Sequence, residues 1–151
     1  MPFKERAREA QKNLSLPLEE VAASAVGEGD RRSSMKVLVI GGGGREHAVC
    51  RKLSESKDVT ELLCAPGNAG IARVARCIPD VKATDIDGIV ELAKREKVDF
   101  VCVTPDDPLA LGCVDRLEAE GIAAFGPTAY AAQMEASKIF SKNLMRKYGI
   151  P

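Results

Sequence analysis

Four consecutive glycines, Gly41-Gly42-Gly43-Gly44, run directly into Arg45, Glu46 and His47, and no other stretch of the chain is better suited to hold a ligand. Glycines let a backbone approach a bound molecule closely, and the free N–H groups of a first helical turn attract anions. Arg45 and His47 sharpen the point. Cations oppose the positive end of a helix dipole, so they are locally unfavourable there unless an anion is bound. The chemistry expected is recognition of a phosphate, with Arg45 able to grip it through two parallel hydrogen bonds and His47 adding a donor. The plainer reading is a glycine turn with two solvated side chains.

The spacing excludes two common phosphate sites. A Walker A loop needs Gly-Lys-Ser/Thr after its spacer, and the chain has no such tripeptide. A dinucleotide fingerprint needs a third glycine three residues after the second. Counted from Gly41 and Gly43 that position is Glu46; counted from Gly42 and Gly44 it is His47. The acid that would hold a ribose at the end of the second strand is also missing, because that strand runs into Cys64-Ala65-Pro66. NAD is therefore not the expected ligand.

The elements that must position these residues alternate. Strands are expected at 36–40, 59–65, 99–103 and 122–125, with a further short one near 77–79. Helices are expected at 46–54, from an Asp85 or Asp87 cap to Glu96, and over 109–120 with Gly121 as its C-cap. Thr128 and Ser137 cap two more, the last ending near Tyr148-Gly149. Apolar strands alternating with helices predict an α/β fold, a doubly wound parallel sheet with the first strand central. Ligands of such sheets bind beyond the carboxyl ends of the strands. The glycine run, Pro66-Gly67-Asn68-Ala69-Gly70, the loop 104–108 and the turn 125–127 all lie at those ends, and their convergence is stronger evidence of a site than any one of them.

At 151 residues with a formal net charge of zero, the chain is sized for one domain and shows no nucleic-acid footprint. No apolar run approaches membrane-spanning length. Five cysteines without a CxxC pair read as buried free thiols in a reducing compartment, and a single histidine argues against a histidine-based metal site. With no apolar leader core near Met1, the cytoplasm is the expected location.

Gly41 to Ala48, then Ala65-Pro66-Gly67-Asn68-Ala69-Gly70, Thr84-Asp85-Ile86, Asp107-Pro108-Leu109, Phe125-Gly126-Pro127-Thr128 and Ala131 to Lys138 occur in this order. Together they resemble the N-terminal domain of the phosphoribosylamine–glycine ligases, also called glycinamide ribonucleotide synthetases. The resemblance covers 35–151. It implies a Rossmann-like domain preceding an ATP-grasp portion, and a reaction that joins glycine to 5-phosphoribosylamine at the expense of ATP in purine biosynthesis. It implies ATP and Mg2+ as cofactors, bound mainly outside this chain, and phosphoribosylamine, glycine and the ligase's ATP-grasp and C-terminal domains as partners. The residues it marks as phosphate and ribose contacts are Gly43, Gly44, Arg45, Glu46, His47, Asn68, Gly70, Pro105 and Asp106, with Lys138 as an ATP contact in the full ligase. No catalytic or metal-ligating residue is expected within the chain. Thr104-Pro105-Asp106 departs from the usual Gly-Pro-Glu of the family, adding a side chain at Thr104 and shortening the carboxylate at Asp106.

Residues 1–34 are read as a tail that is disordered or not native, with helical stretches at most around 4–13 and 18–26. Arg31-Arg32 can be encoded as AGG-AGG, a ribosome-binding sequence just ahead of an ATG, which would make Met35 the true start. The domain is expected to span 35–126, with 127–151 as the helical start of an ATP-grasp portion. A chain ending at Pro151 is expected to be inactive alone. The alternatives are a stand-alone phosphate- or nucleotide-binding module without catalysis and the equivalent domain of another ATP-grasp ligase.

Overall fold

The computed structural model describes residues 34–151, so the expectations for the tail lie outside the described residues, Ser34 excepted. Its centre is β1 (Met35–Gly41), buried continuously from Val37 to Gly41. A strand with no exposed residue over that length needs cover on both faces. On one side it pairs with β2 (Val59–Pro66), which pairs with the short β3 (Arg76–Cys77). On the other it pairs with β4 (Phe100–Val103), which pairs with β5 (Ala123–Phe125). The order is β3-β2-β1-β4-β5 and every pairing is parallel, as the alternation predicts.

The two faces carry separate apolar layers. Leu38 and Ile40 pack with Leu63, Val101 and Val103 under Ile89 and Leu92 of α2 (Ile86–Glu96) and Leu117 of α4 (Cys113–Ala119). Val37 and Val39 pack with Cys64, Cys102 and Ile71, under Cys50 of α1 (Gly44–Ser54). Each fully buried Leu, Ile or Val contributes about 1.5–3 kcal/mol, so the pair of layers accounts for why β1 is central. Helix ends follow the capping residues. Asp85 accepts from Gly88 N at 3.0 Å, Thr128 from Ala131 N at 3.3 Å before α5 (Ala129–Ala136), and Ser137 from Phe140 N at 3.2 Å before α6 (Lys138–Lys147). Gly121 follows α4 with φ +74°, a conformation that favours glycine.

Three local expectations are corrected. Residues 104–108 are not all loop: α3 (Asp106–Ala110) starts inside them, with Pro108 in its first turn, where a missing N–H does no harm. The helix expected over 109–120 is two helices, because Gly112 takes φ +81° between α3 and α4 and turns the axis. The third strand ends at Cys77, in register with Cys64, rather than running to Pro79, whose ring nitrogen cannot donate to a ladder.

Because all strands are parallel, the segments after β1, β2, β4 and β5 leave the sheet at the same edge. That edge positions the candidate site.

Candidate functional site at the carboxyl edge of the sheet

The glycine run is shaped by what it lies against. Gly41 has φ +125°, and a Cβ there would sit 2.6 Å from Glu46 Cγ and 2.9 Å from Pro105 Cγ. A Cβ on Gly42 would sit 2.7 Å from the carbonyl oxygen of Gly67. Both glycines are therefore required by close approach, one to the helix and β4 loop, the other to the β2 loop. Gly44 differs: a Cβ there would meet nothing within 4 Å. The first residue of α1 faces open space.

Gly43 is the N-cap of α1, and having no side chain it caps none of the first-turn amides. An uncapped helix start leaves N–H groups without intrahelical partners. Exposed Gly43, Gly44 and Arg45 surround them. The reciprocal half of a capping box is present, since the Glu46 carboxylate reaches back and accepts from Gly43 N at 2.8 Å.

Glu46 is the one buried charged residue among those described, 4% exposed. A carboxylate in that position needs partners for both oxygens. Oε2 takes the Gly43 N–H, and Oε1 accepts from the Thr104 hydroxyl at 2.7 Å. Arg45 Nε lies 3.8 Å from the same Oε1, and Arg45 Nη1 lies 3.8 Å from Asp106 Oδ1. The Arg45 side chain is 61% exposed, loosely flanked by two carboxylates and tightly held by neither.

Asn68 stitches the β2 loop to the turn. Its Nδ2 donates to the Gly42 carbonyl at 2.7 Å, and its Oδ1 accepts from Gly70 N at 2.8 Å and Ile71 N at 2.9 Å. The backbone adds Gly67 N to Gly41 O at 3.0 Å. His47 lies over Gly70: a Cβ at Gly70 would be 2.9 Å from His47 Cε1. Beneath, the Cys64 thiol donates to the Gly41 carbonyl at 3.2 Å. The neighbouring Cys50 thiol, and then burial, raise the Cys64 pKa, which keeps the group a thiol.

The structure thus brings together Gly43, Gly44, Arg45, Glu46, His47, Asn68, Gly70, Pro105 and Asp106 around one turn. Lys138 stands apart at the start of α6, exposed, beside a shallow depression lined also by Ile139, Lys142, Asn143 and Arg146. Thr104 stands out in the sequence only as a departure from the family's glycine, and the structure gives its hydroxyl a partner, Glu46. The threonine's position at the end of β4, next to the edge where ligands bind, was the available signal for that contact. No group of three or more His, Cys, Asp or Glu side chains among the described residues could hold a metal ion. No helix among them is long and apolar enough to cross a membrane.

A family model described as "Phosphoribosylglycinamide synthetase, N domain" matches residues 35–135. The phosphoribosylamine–glycine ligase of Xanthomonas campestris pv. campestris is 52% identical over 118 residues, which cover 78% of this chain and 27% of that protein. The ligase of the same name from Caldanaerobacter subterraneus subsp. tengcongensis is 49% identical over 117 residues, covering 78% and 28%. The chain spans about a quarter of the length of these curated relatives. Among solved structures, the phosphoribosylamine–glycine ligase of Thermotoga maritima aligns at a TM-score of 0.53 and 26% identity, over 76% of this chain and 25% of that one. The Kluyveromyces lactis urea carboxylase aligns at a TM-score of 0.58 and 14% identity, over 79% and 12%, a likeness of fold alone.

Proposed function

The chain belongs to the family of phosphoribosylglycinamide synthetase N domains, and from that premise we propose that its glycine turn holds the phosphate of a phosphoribosyl group. The observation that carries this is the uncapped start of α1, open at Gly44, with Arg45 exposed beside it and bound closely to no partner. Free N–H groups and a guanidinium suit a phosphate monoester. Asn68, Gly70 and His47 bound the turn on the β2 side, and Pro105 and Asp106 bound it on the β4 side, within reach of a ribose.

The reaction assigned to the ligase is the ATP-dependent joining of glycine to 5-phosphoribosylamine in purine biosynthesis, in the cytoplasm. In it this domain binds and orients the phosphorylated sugar. Among the described residues no group of three or more His, Cys, Asp or Glu side chains could hold Mg2+ without the substrate's phosphates. ATP and the metal are assigned mainly to the parts of the ligase beyond the matched quarter. Residues 127–151 are read as the start of that ATP-grasp portion, with Lys138 as its ATP contact. Exposed Tyr130, Met134, Ile139, Tyr148 and Ile150 support a covering partner on α5, α6 and the residues after them.

Calorimetry tests the reading. Ribose 5-phosphate is expected to bind weakly, with ribose and NAD silent, and the chain alone to form no glycinamide ribonucleotide from ATP, glycine and phosphoribosylamine. Micromolar binding of NAD, or equal binding of ribose and its phosphate, would refute the assignment.

A further inference from the structure

We propose that Thr104 is a positioning residue: its hydroxyl occupies Glu46 Oε1 and so keeps the Arg45 guanidinium available to a phosphate ligand. The inference rests on the phosphate reading of the turn and adds a residue that acts through two others.

The argument starts from the carboxylate. Glu46 is buried, and its side chain runs beneath the turn where Cβ atoms on Gly41 and Gly43 would have to be. It cannot turn outward without emptying that space. Oε2 is satisfied by the Gly43 N–H at 2.8 Å. Oε1 has two neighbours of different kinds. The Thr104 hydroxyl donates to it at 2.7 Å, a full hydrogen bond, while Arg45 Nε stands off at 3.8 Å, beyond one.

If the hydroxyl were absent, a buried anionic oxygen would be left with one donor in reach. That donor is a cation on the adjacent residue, and a guanidinium pairs with a carboxylate through both charge and hydrogen bond. Arg45 would close onto Glu46 and become its counter-ion. A phosphate would then have to break that pair before using the guanidinium. With Thr104 in place, Arg45 is held only at 3.8 Å by each of Glu46 and Asp106, and its side chain stays 61% exposed. The neutral hydroxyl satisfies the buried oxygen without consuming the positive charge that the site needs. The same bond ties the end of β4 to the first turn of α1, so loop and turn keep one spacing.

The 151-residue chain is compared with its Thr104→Val and Thr104→Ser variants by two readouts. In the ligand-free protein, the Arg45 Nε–Hε resonance and its exchange with water report whether the guanidinium is free or paired. Calorimetry with ribose 5-phosphate reports affinity. In Thr104→Val, which keeps the side chain's shape, the Arg45 resonance is expected to shift and its exchange to slow, with affinity falling about tenfold, the scale of one charged hydrogen bond. Thr104→Ser is expected to match the parent in both. A merely structural role would lower the melting temperature of the valine variant while leaving the Arg45 resonance where it was, and that result overturns the proposal. If the valine variant does not fold, Thr104→Ala carries the same expectation. If the parent itself ignores ribose 5-phosphate, the phosphate reading fails, while the Arg45 resonance of the variant still decides whether Thr104 keeps the guanidinium free.

Discussion

Single residues at the sheet edge divide into those that could touch a ligand and those that hold the turn in shape, and the residue types alone did not separate them. Glu46 and Asn68 both read as candidate contacts in the sequence, and in the structure each also holds the turn in shape, Glu46 with Thr104 as a second partner. A sequence shows that a carboxylate follows the glycines, but not that its oxygens reach back to Gly43 and across to Thr104, because the second partner is 58 residues away. Glu46→Ala and Glu46→Gln should therefore differ sharply. Alanine strands the Gly43 N–H and the Thr104 hydroxyl beside a cavity and should cost about 2–4 kcal/mol in urea unfolding. Glutamine keeps an acceptor for Gly43, and the Thr104 hydroxyl can rotate to accept from its amide, so the loss should stay below about 1 kcal/mol. Equal losses would mean that charge, not hydrogen bonding, is what the turn requires. The thiols give a second expectation. Burial raises Cys113 from 9.0 to about 11. The unfolded chain ionises this thiol first, so its contribution is intact below pH 9 and is lost as pH rises toward 11, by roughly 2–3 kcal/mol. Stability measured from pH 7 to 11 should fall less steeply in Cys113→Ala than in the parent; parallel curves would contradict the assignment.

The elements were the most legible scale, and their errors have local causes. Long apolar strands and side-chain caps such as Asp85, Thr128 and Ser137 announce themselves by residue type, and they stand where the sequence reading put them. The break between α3 and α4 is not legible in the sequence because Gly112 sits in a run whose apolar spacing continues across it, and only its φ of +81° reveals the turn. The glycines of the β1–α1 turn are likewise indistinguishable in sequence and unequal in structure. Gly41→Ala should unfold or severely destabilise the domain, since its Cβ would meet Glu46 and Pro105 below 3.0 Å at a φ of +125°. Gly44→Ala has open space and a helical position, and should raise stability by up to about 1 kcal/mol. Thermal melts of the two variants make the contrast directly, and similar behaviour would contradict the geometry of the turn.

At the scale of the molecule, a parallel sheet with β1 at its centre carries four carboxyl-end segments to one edge, and the site is a consequence of that topology. The alternation of strands and helices made both the topology and the edge readable in advance. What it could not supply is the division of labour across the edge, in which the β2 loop stitches, the β4 loop braces and the first residue of α1 stays open. The central claim is that this opening takes the phosphate of a phosphoribosyl group. The most direct measurement is an amide chemical-shift titration of the chain with ribose 5-phosphate, repeated on Arg45→Ala. Shifts should cluster at residues 42–47 and near Asn68, and should vanish in the variant while the rest of its spectrum stays folded. Shifts centred on α6 or spread over the surface, or a response that survives loss of Arg45, would contradict it.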